Sequence, residues 1–357
     1  MSKKHVDLTQ RRSICFVSET GRVEDPLQDP SVRYRCYHPA EALVAEGHDC
    51  TVVAAATFYE NPLLKHDIYV FHRPNMARAN FASVLAGLRK LGAILIADYD
   101  DLIFGDEELA LVSSAVKNGT LTEEKAIVAF KSNLAGLRQF DKVTVSTEPL
   151  AARAREFNPD AEVCCAPNVI PESILSIQRA NRTPFLKRSA TNIGYFAGTR
   201  SHDKDFPIVE AALHRVLCEN PHFNLLVVGP VVMPRSLAAL PNVNTAPVVN
   251  FLRLPSLMSM CSSVIAPLEA SKFNDCKSRV KFLEAAIGGC RLIASPIPDM
   301  QAIGEDRLTL ATSTDDWYEA LSAPLAPEAR IELAKRNFAF LENTSYNDAL
   351  KSLAGLK

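Results

Sequence analysis

A chain of 357 residues with 47% hydrophobic and 22% charged side chains is long enough for about two packed domains, and its composition excludes long disordered tails. Its formal charge of -2 and pI near 6.5 supply no basic field of the kind that gathers nucleic acid, so no nucleic-acid partner is expected and any anion must be caught locally. Nine scattered cysteines without CxxC pairs or Cys/His zinc spacing exclude a zinc-ribbon type and read as reduced thiols.

The N-terminus, MSKKHVDLTQRRS, is charged and lacks the apolar stretch of a secretory signal, and no window approaches about 18 uninterrupted apolar residues. A cytoplasmic protein is expected, with at most a peripheral contact at the inner face of a membrane through Lys3, Lys4, Arg11 and Arg12. A solvated tail is the plainer reading of those four cations.

From there short apolar runs bounded by turn residues alternate with helical patterns, the rhythm of parallel βαβ units. Strands are predicted at 14–18, 50–55, 68–71, 93–97, 142–146 and 162–166, with helices such as 38–46 and 79–91 between them. The stretch from about 172 to 190 mixes Ser, Arg, Asn, Thr and Pro and reads as a linker. The pattern then restarts, with strands at 192–196, 224–228, 262–266 and 291–294 and helices near 207–219, 253–260 and 277–288. After 314 the spacing is helical to the end. The expected fold is α/β: two Rossmann-like domains with parallel sheets, over 1–180 and 190–330, and C-terminal helices at 331–357 packing back on the N-terminal domain.

In open parallel sheets ligands bind beyond the carboxyl ends of the strands, so the residues just after each strand carry the functional reading. In IGYFAGTRSHDKDF, a strand ending at Phe196 is followed by Gly198, Thr199, Arg200, Ser201 and His202, a small, donor-rich turn suited to a phosphate. An ordinary βα turn with a helix cap at Ser201 or Asp205 explains it equally well. In PLEASKFNDCKSRVKFLEAAIGGC, Lys277, Lys281 and Glu284 fall on one helical face at i, i+4 and i+7, with Ser278 at the helix start. Cations at a helix N-terminus suit a diphosphate, and a carboxylate a turn or two later suits the hydroxyls of a ribose. The alternative is a solvated helix with incidental ion pairs.

On these residues the segment resembles the donor-binding signature of GT-B glycosyltransferases, above all the retaining family 4: Glu284, the small run AAIGG, then RLIASP. The family often carries another Glu eight residues earlier, where this chain has Cys276. FNDCKS is similar to a variant branch of bacterial surface-polysaccharide glycosyltransferases with an FNxxKSxxKFLE pattern, which brings in Asn274, and GYFAGTRSHDKDF is similar to the same branch. The resemblance implies that Arg200, Lys277 and Lys281 face the diphosphate, Ser278 assists and Glu284 holds the ribose. Gly198, Thr199, His202 and Asn274 complete its donor site.

In the first half, AILIADYDDLIF places Asp98, Asp100 and Asp101 after a buried strand. Asp98-Tyr99-Asp100 has DxD spacing, a metal-binding pattern that arises easily by chance, and no metal is expected. In family 4 this strand end usually supplies a histidine near the transferred sugar, so the resemblance puts Asp100 or Asp101 in that place. Either would orient the incoming hydroxyl or stabilise charge on the sugar, against plain helix capping. His72 and Arg73, after the third strand, are further candidates, His72 for catalysis and Arg73 for an acceptor. The 18–43 loop offers Gly21 for the phosphates and Arg33 or Arg35 for an anionic group of an acceptor, with loop-stabilising arginines as the alternative. PNV at 167–169 resembles the family's interdomain turn, and no GxSxG elbow supports a nucleophile.

The expected activity is transfer of a hexose-type sugar from a nucleoside diphosphate sugar to a hydroxyl of a glycan or lipid-linked glycan in polysaccharide assembly. Retention of configuration and independence of a metal follow from the resemblance, and no cofactor beyond the nucleotide-sugar co-substrate is expected. A GT-B nucleotide-sugar epimerase and a non-catalytic nucleotide-sugar-binding protein are the alternatives, since fold analogy alone does not separate them.

Overall fold

The structure, a computed structural model, describes residues 11–180, 191–198, 205–344 and 347–356. Two six-stranded sheets, parallel throughout, organise the described chain. The first holds β1 (Ser13–Ser18), β2 (Asp49–Ala54), β3 (Ile68–His72), β4 (Ile94–Tyr99), β5 (Lys142–Val145) and β6 (Glu162–Cys165) in the order β2-β1-β3-β4-β5-β6. The second holds β7 (Asn192–Phe196), β8 (Asn224–Val228), β9 (Val243–Ala246), β10 (Ser263–Ala266), β11 (Arg291–Ala294) and β12 (Thr309–Leu310) in the order β12-β11-β10-β7-β8-β9. Strand order therefore reverses beside β1 and β3 in one sheet and beside β7 and β10 in the other, which opens a crevice at each carboxyl end.

Near-continuous apolar strands such as ICFV and SVIA are what a sheet covered on both faces requires, and their side chains are buried. Helices cover those faces. Glu123–Leu137 starts at Thr122, whose hydroxyl accepts the Lys125 N–H, and carries Glu123 and Glu124 in its first turn, where the helix dipole favours anions. Its Gly136 lies so close to the 72–75 loop that a Cβ would strike the Pro74 carbonyl oxygen, so only glycine allows this approach.

The twelve strands include all ten expected and two more, β9 and β12. Helix Glu172–Ala180 occupies the start of the stretch read as linker. The helix expected from 277 begins at Val280, after a 3-10 turn at Asn274–Cys276, so Lys277 and Ser278 lie ahead of it in extended chain. Lys277 therefore shares no helical face with Lys281 and Glu284.

The C-terminal helices divide between the halves. Pro327–Glu342 buries Phe338 and Leu341 against the second domain, with Phe340 edge-on to Phe282 at 5.4 Å. Asn347–Ala354 crosses back and buries Leu350 and Leu353 among Ile14, Val32 and Val70 of the first. Each of those two leucines contributes about 1.5–3 kcal/mol to holding the tail there. In the other direction, Phe273 and Cys276 of the second half enter the core of the first. Among the described residues no helix is long and apolar enough to cross a membrane.

Candidate functional site

The two crevices face each other across one cavity of about 290 Å³. Its second-domain wall is built at the strand-order reversal, from Tyr195–Gly198 at the end of β7 and Ile265–Leu268 at the end of β10. Gly229 makes this packing possible: at φ 118°, a Cβ there would drive into the Ala197 carbonyl oxygen. The segment after β9 adds Val248, Val249, Phe251 and Leu254, an apolar end opposite the charged residues of the chamber.

Lys277, Ser278, Lys281 and Glu284 all line the cavity. Helix Val280–Gly288 points its N-terminus into it, and Gly289 ends that helix in the left-handed region at φ 67°. Buried Glu284 accepts from Lys281 Nζ at 2.9 Å. Lys277 Nζ stands 3.7 Å from Asp101 of the first domain and 5.2 Å over the Phe273 ring. Burial, reinforced by the Glu284 carboxylate, pushes the pKa of the Tyr34 hydroxyl up, so Tyr34 meets the cavity as a neutral phenol.

The first-domain wall is centred on Asp100. Its carboxylate accepts from Arg73 Nε at 2.7 Å and from the Ser31 hydroxyl at 2.6 Å, with His72 Nε2 at 3.5 Å. Burial works against its charge, but the Arg73 guanidinium with His72 outweighs burial and holds the carboxyl well below the usual carboxylate range. His72 Nδ1 accepts the Glu19 N–H at 3.3 Å, which leaves Nε2 as the nitrogen facing Ser31 at 2.7 Å. Arg73 holds this arrangement from a left-handed backbone, φ 51°, with its N–H on the Asp98 carbonyl at 2.7 Å. Backbone strain of that kind costs on the order of 1–3 kcal/mol and gathers at functional sites.

Arg33, Tyr34 and Arg35 belong to a π-helical turn, Arg33–Tyr37, that follows the Pro30–Val32 helix. Arg33 lines the cavity, gives Nη1 to the Leu27 carbonyl at 2.7 Å and lies 4.3 Å over the Phe251 ring of the other domain. Phe251 N–H also donates to Gln28 Oε1 at 3.3 Å, so the two domains meet around this ring.

Several expected site residues stand elsewhere. Arg35 is wholly buried and pairs with Asp98 through Nε at 2.9 Å and Nη2 at 2.5 Å, so it reaches no acceptor. His72 and Arg73 lie behind Ser31 and Asp100 and do not line the cavity. Asn274 is turned away from it: its Nδ2 donates to the Glu269 carbonyl at 2.8 Å and braces the loop. Gly21 is exposed outside it. Gly198 lines it, whereas Thr199, Arg200 and His202 lie outside the described residues.

Cys276 is a core residue whose thiol burial pushes up to about 12. Among the described residues all nine cysteines are free, and no His, Cys, Asp and Glu side chains group so as to hold a metal ion. The Asp98 and Asp100 carboxylates turn to different arginines, Arg35 and Arg73.

The structure adds wall residues that the sequence reading missed: Ser31, Tyr34, Phe251, Val248 and Asn168. Asn168 sits in the PNV turn and was visible there. Val248 and Phe251 lie in a half-exposed loop whose apolar residues follow no period, so no signal marked them.

No family model matches the chain, and no curated protein matches it. Solved structures do. Anabaena Alr3699/HepE, crystallised with UDP and glucose, superposes with TM-score 0.58 at 13% identity, over 97% of this chain and 99% of that one. An alpha-glucosyltransferase in complex with UDP and a 13-mer DNA containing a HMU base gives TM-score 0.64 at 10% identity, over 97% and 99%. The α,α-trehalose 6-phosphate synthase of Burkholderia multivorans gives 0.62 at 11%, over 97% and 98%. With two parallel Rossmann-like domains facing one cavity and these neighbours along nearly its whole length, the chain has the GT-B fold of glycosyltransferases.

Proposed function

We propose that this protein is a glycosyltransferase that moves a hexose-type sugar from a nucleoside diphosphate sugar to a hydroxyl of a glycan or lipid-linked glycan. One observation carries the reading: Lys277, Ser278, Lys281 and Glu284 converge at the strand-order reversal of the second sheet and face Asp100 and Asp101 across a single cavity. The neighbours' complexes with UDP and glucose accord with a nucleotide sugar as donor.

Lys277, Lys281, Ser278 and the N-terminus of Val280–Gly288 neutralise the leaving diphosphate, a task that requires no metal. Glu284 takes the ribose hydroxyls. The apolar end at Val248, Val249 and Leu254 receives the base. Asp100, ionised and held by Arg73, stabilises positive charge developing on the sugar, and Asp101 orients the incoming hydroxyl. The sugar is transferred with retention, and a formal charge of -2 favours a glycan over a nucleic-acid acceptor.

Calorimetric titration of the protein with UDP and GDP tests the donor site. Glu284→Ala and Lys277→Ala are expected to weaken binding by about tenfold or more while the far-UV spectrum is unchanged. Wild-type affinity in both variants would refute the site.

A further inference from the structure

A polar chain runs from the core of the first domain to the cavity, and the direction of every hydrogen bond in it is dictated by chemistry. Thr144 Oγ1 donates to Asp98 Oδ1 at 2.7 Å, and Asp98 takes Arg35 on both carboxylate oxygens. Arg35 Nη1 then donates to the Ala166 carbonyl at 2.7 Å and to Asn168 Oδ1 at 3.0 Å. A guanidinium has only donors, so the oxygen of the Asn168 amide must face it and the NH2 must face away. That NH2 reaches Ser278 Oγ at 3.0 Å. Ser278 thereby accepts a hydrogen bond from behind, and its own hydrogen is left to point into the cavity that both Asn168 and Ser278 line.

We propose that Asn168 is a positioning residue for the donor: it sets the Ser278 hydroxyl to donate, and so favours a ligand group that accepts, such as a phosphate oxygen. The inference rests on the reading of the cavity as a nucleoside diphosphate sugar site and adds to it a residue that acts through Ser278. Asn168 is nearly fully buried, at 3% exposure, and Arg35 and Asp98 are completely so, which makes the direction rigid. A hydroxyl with a free choice of roles would serve a sugar hydroxyl or an ammonium as readily. With Asn168 behind it, Ser278 favours an anion.

The alternative is that Asn168 only braces the two domains. Asn168→Asp separates the two roles, because it keeps the shape and reverses the polarity: the introduced carboxylate accepts from Arg35 and from the Ser278 hydroxyl, turning that hydrogen away from the cavity. The measurement is calorimetric affinity for whichever of UDP, GDP, ADP and CDP binds the wild-type protein best. Ser278→Ala is expected to weaken binding by about tenfold in the wild-type background and to have little effect in the Asn168→Asp background, a coupling that bracing alone does not produce. Should N168D fail to fold, the same cycle with Asn168→Ala is expected to shrink the effect of Ser278→Ala, since nothing then directs the hydroxyl. A tenfold effect of Ser278→Ala in every background would overturn the proposal and leave the donor site standing. A wild-type protein that binds none of the four nucleotides would overturn the donor site and this inference together.

Discussion

Arg73 donates its Nε–H to Oδ1 of Asp100 at 2.7 Å from a backbone twisted into the left-handed region, and so fixes the charge of the carboxylate that faces the cavity. Because the carboxyl is held well below its ordinary value, Asp100 is an anion at neutral pH. In the proposed reaction its part is electrostatic, and proton transfer would fall to other groups.

Asp100→Asn is therefore expected to lower turnover by about a hundredfold. In the wild type no acid limb above about pH 4 should come from this residue. A pH–rate profile that shows such a limb, and loses it in the variant, would contradict the assignment. The linked stability has a definite sign: a depressed folded-state pKa contributes stability that is present above the unfolded value, about 3.9, and is lost as the pH falls through the folded one. Urea unfolding below about pH 4 should accordingly be less pH-dependent in Asp100→Asn.

The Arg35–Asp98 pair is buried on both sides, and removing one partner strands the other. Arg35→Leu is expected to destabilise the protein by about 3–5 kcal/mol, read as a shift in urea midpoint. Arg35→Leu combined with Asp98→Leu should recover part of that loss. A double variant less stable than the single one would show that the pair contributes more than mutual neutralisation.

Burial lowers the pKa of His38 to about 3, against a smaller opposing effect of the Val169 carbonyl at 3.0 Å from its Nδ1. The unfolded chain takes up a proton near pH 6.5, so the stability tied to neutral His38 is complete above that value and drains away as the pH falls toward 3. Between pH 8 and pH 5 the wild type should lose about 2 kcal/mol that His38→Gln does not lose. Parallel losses in the two proteins would rule His38 out as the titrating group.

Glycosyl transfer should continue unchanged after exhaustive treatment with EDTA, since lysines and a helix N-terminus face the cavity and Asp98 and Asp100 are engaged by arginines. Activity lost on chelation and regained with manganese or magnesium would return the Asp98-Tyr99-Asp100 triplet to consideration as a metal ligand set.

The strands were legible because ICFV, IYVF and SVIA are short apolar runs between turns, a pattern that leaves little choice to a sheet buried on both faces. β9 and β12 were not, since VNTA is largely exposed and TL is two residues long. Spacing misled at Lys277. The i, i+4, i+7 pattern assumes one continuous helix, whereas the Asn274–Cys276 turn delays its start until Val280, where the Arg279 N–H is capped by Asp299 Oδ2 at 2.7 Å. The lysine reaches the cavity by a different route. For the arginines the difficulty is one of direction. Arg33 and Arg35 are two residues apart in one π-helical turn, which sends them to opposite sides, one to the cavity and the other to the core, and nothing in two identical side chains says which goes where.

Phe273 and Cys276 lie in the second half of the chain but are buried with the first. Thr147 fastens the same loop by donating its hydroxyl to the Cys276 carbonyl at 2.9 Å, and Lys117 reaches Glu269 at 3.0 Å. The boundary between the two cores therefore does not follow the linker. This loop of the second half is held by the first, which places Lys277 beside Asp101. A fragment that starts at residue 190 would carry an uncovered Phe273 into water and leave behind Asp101, the partner of Lys277.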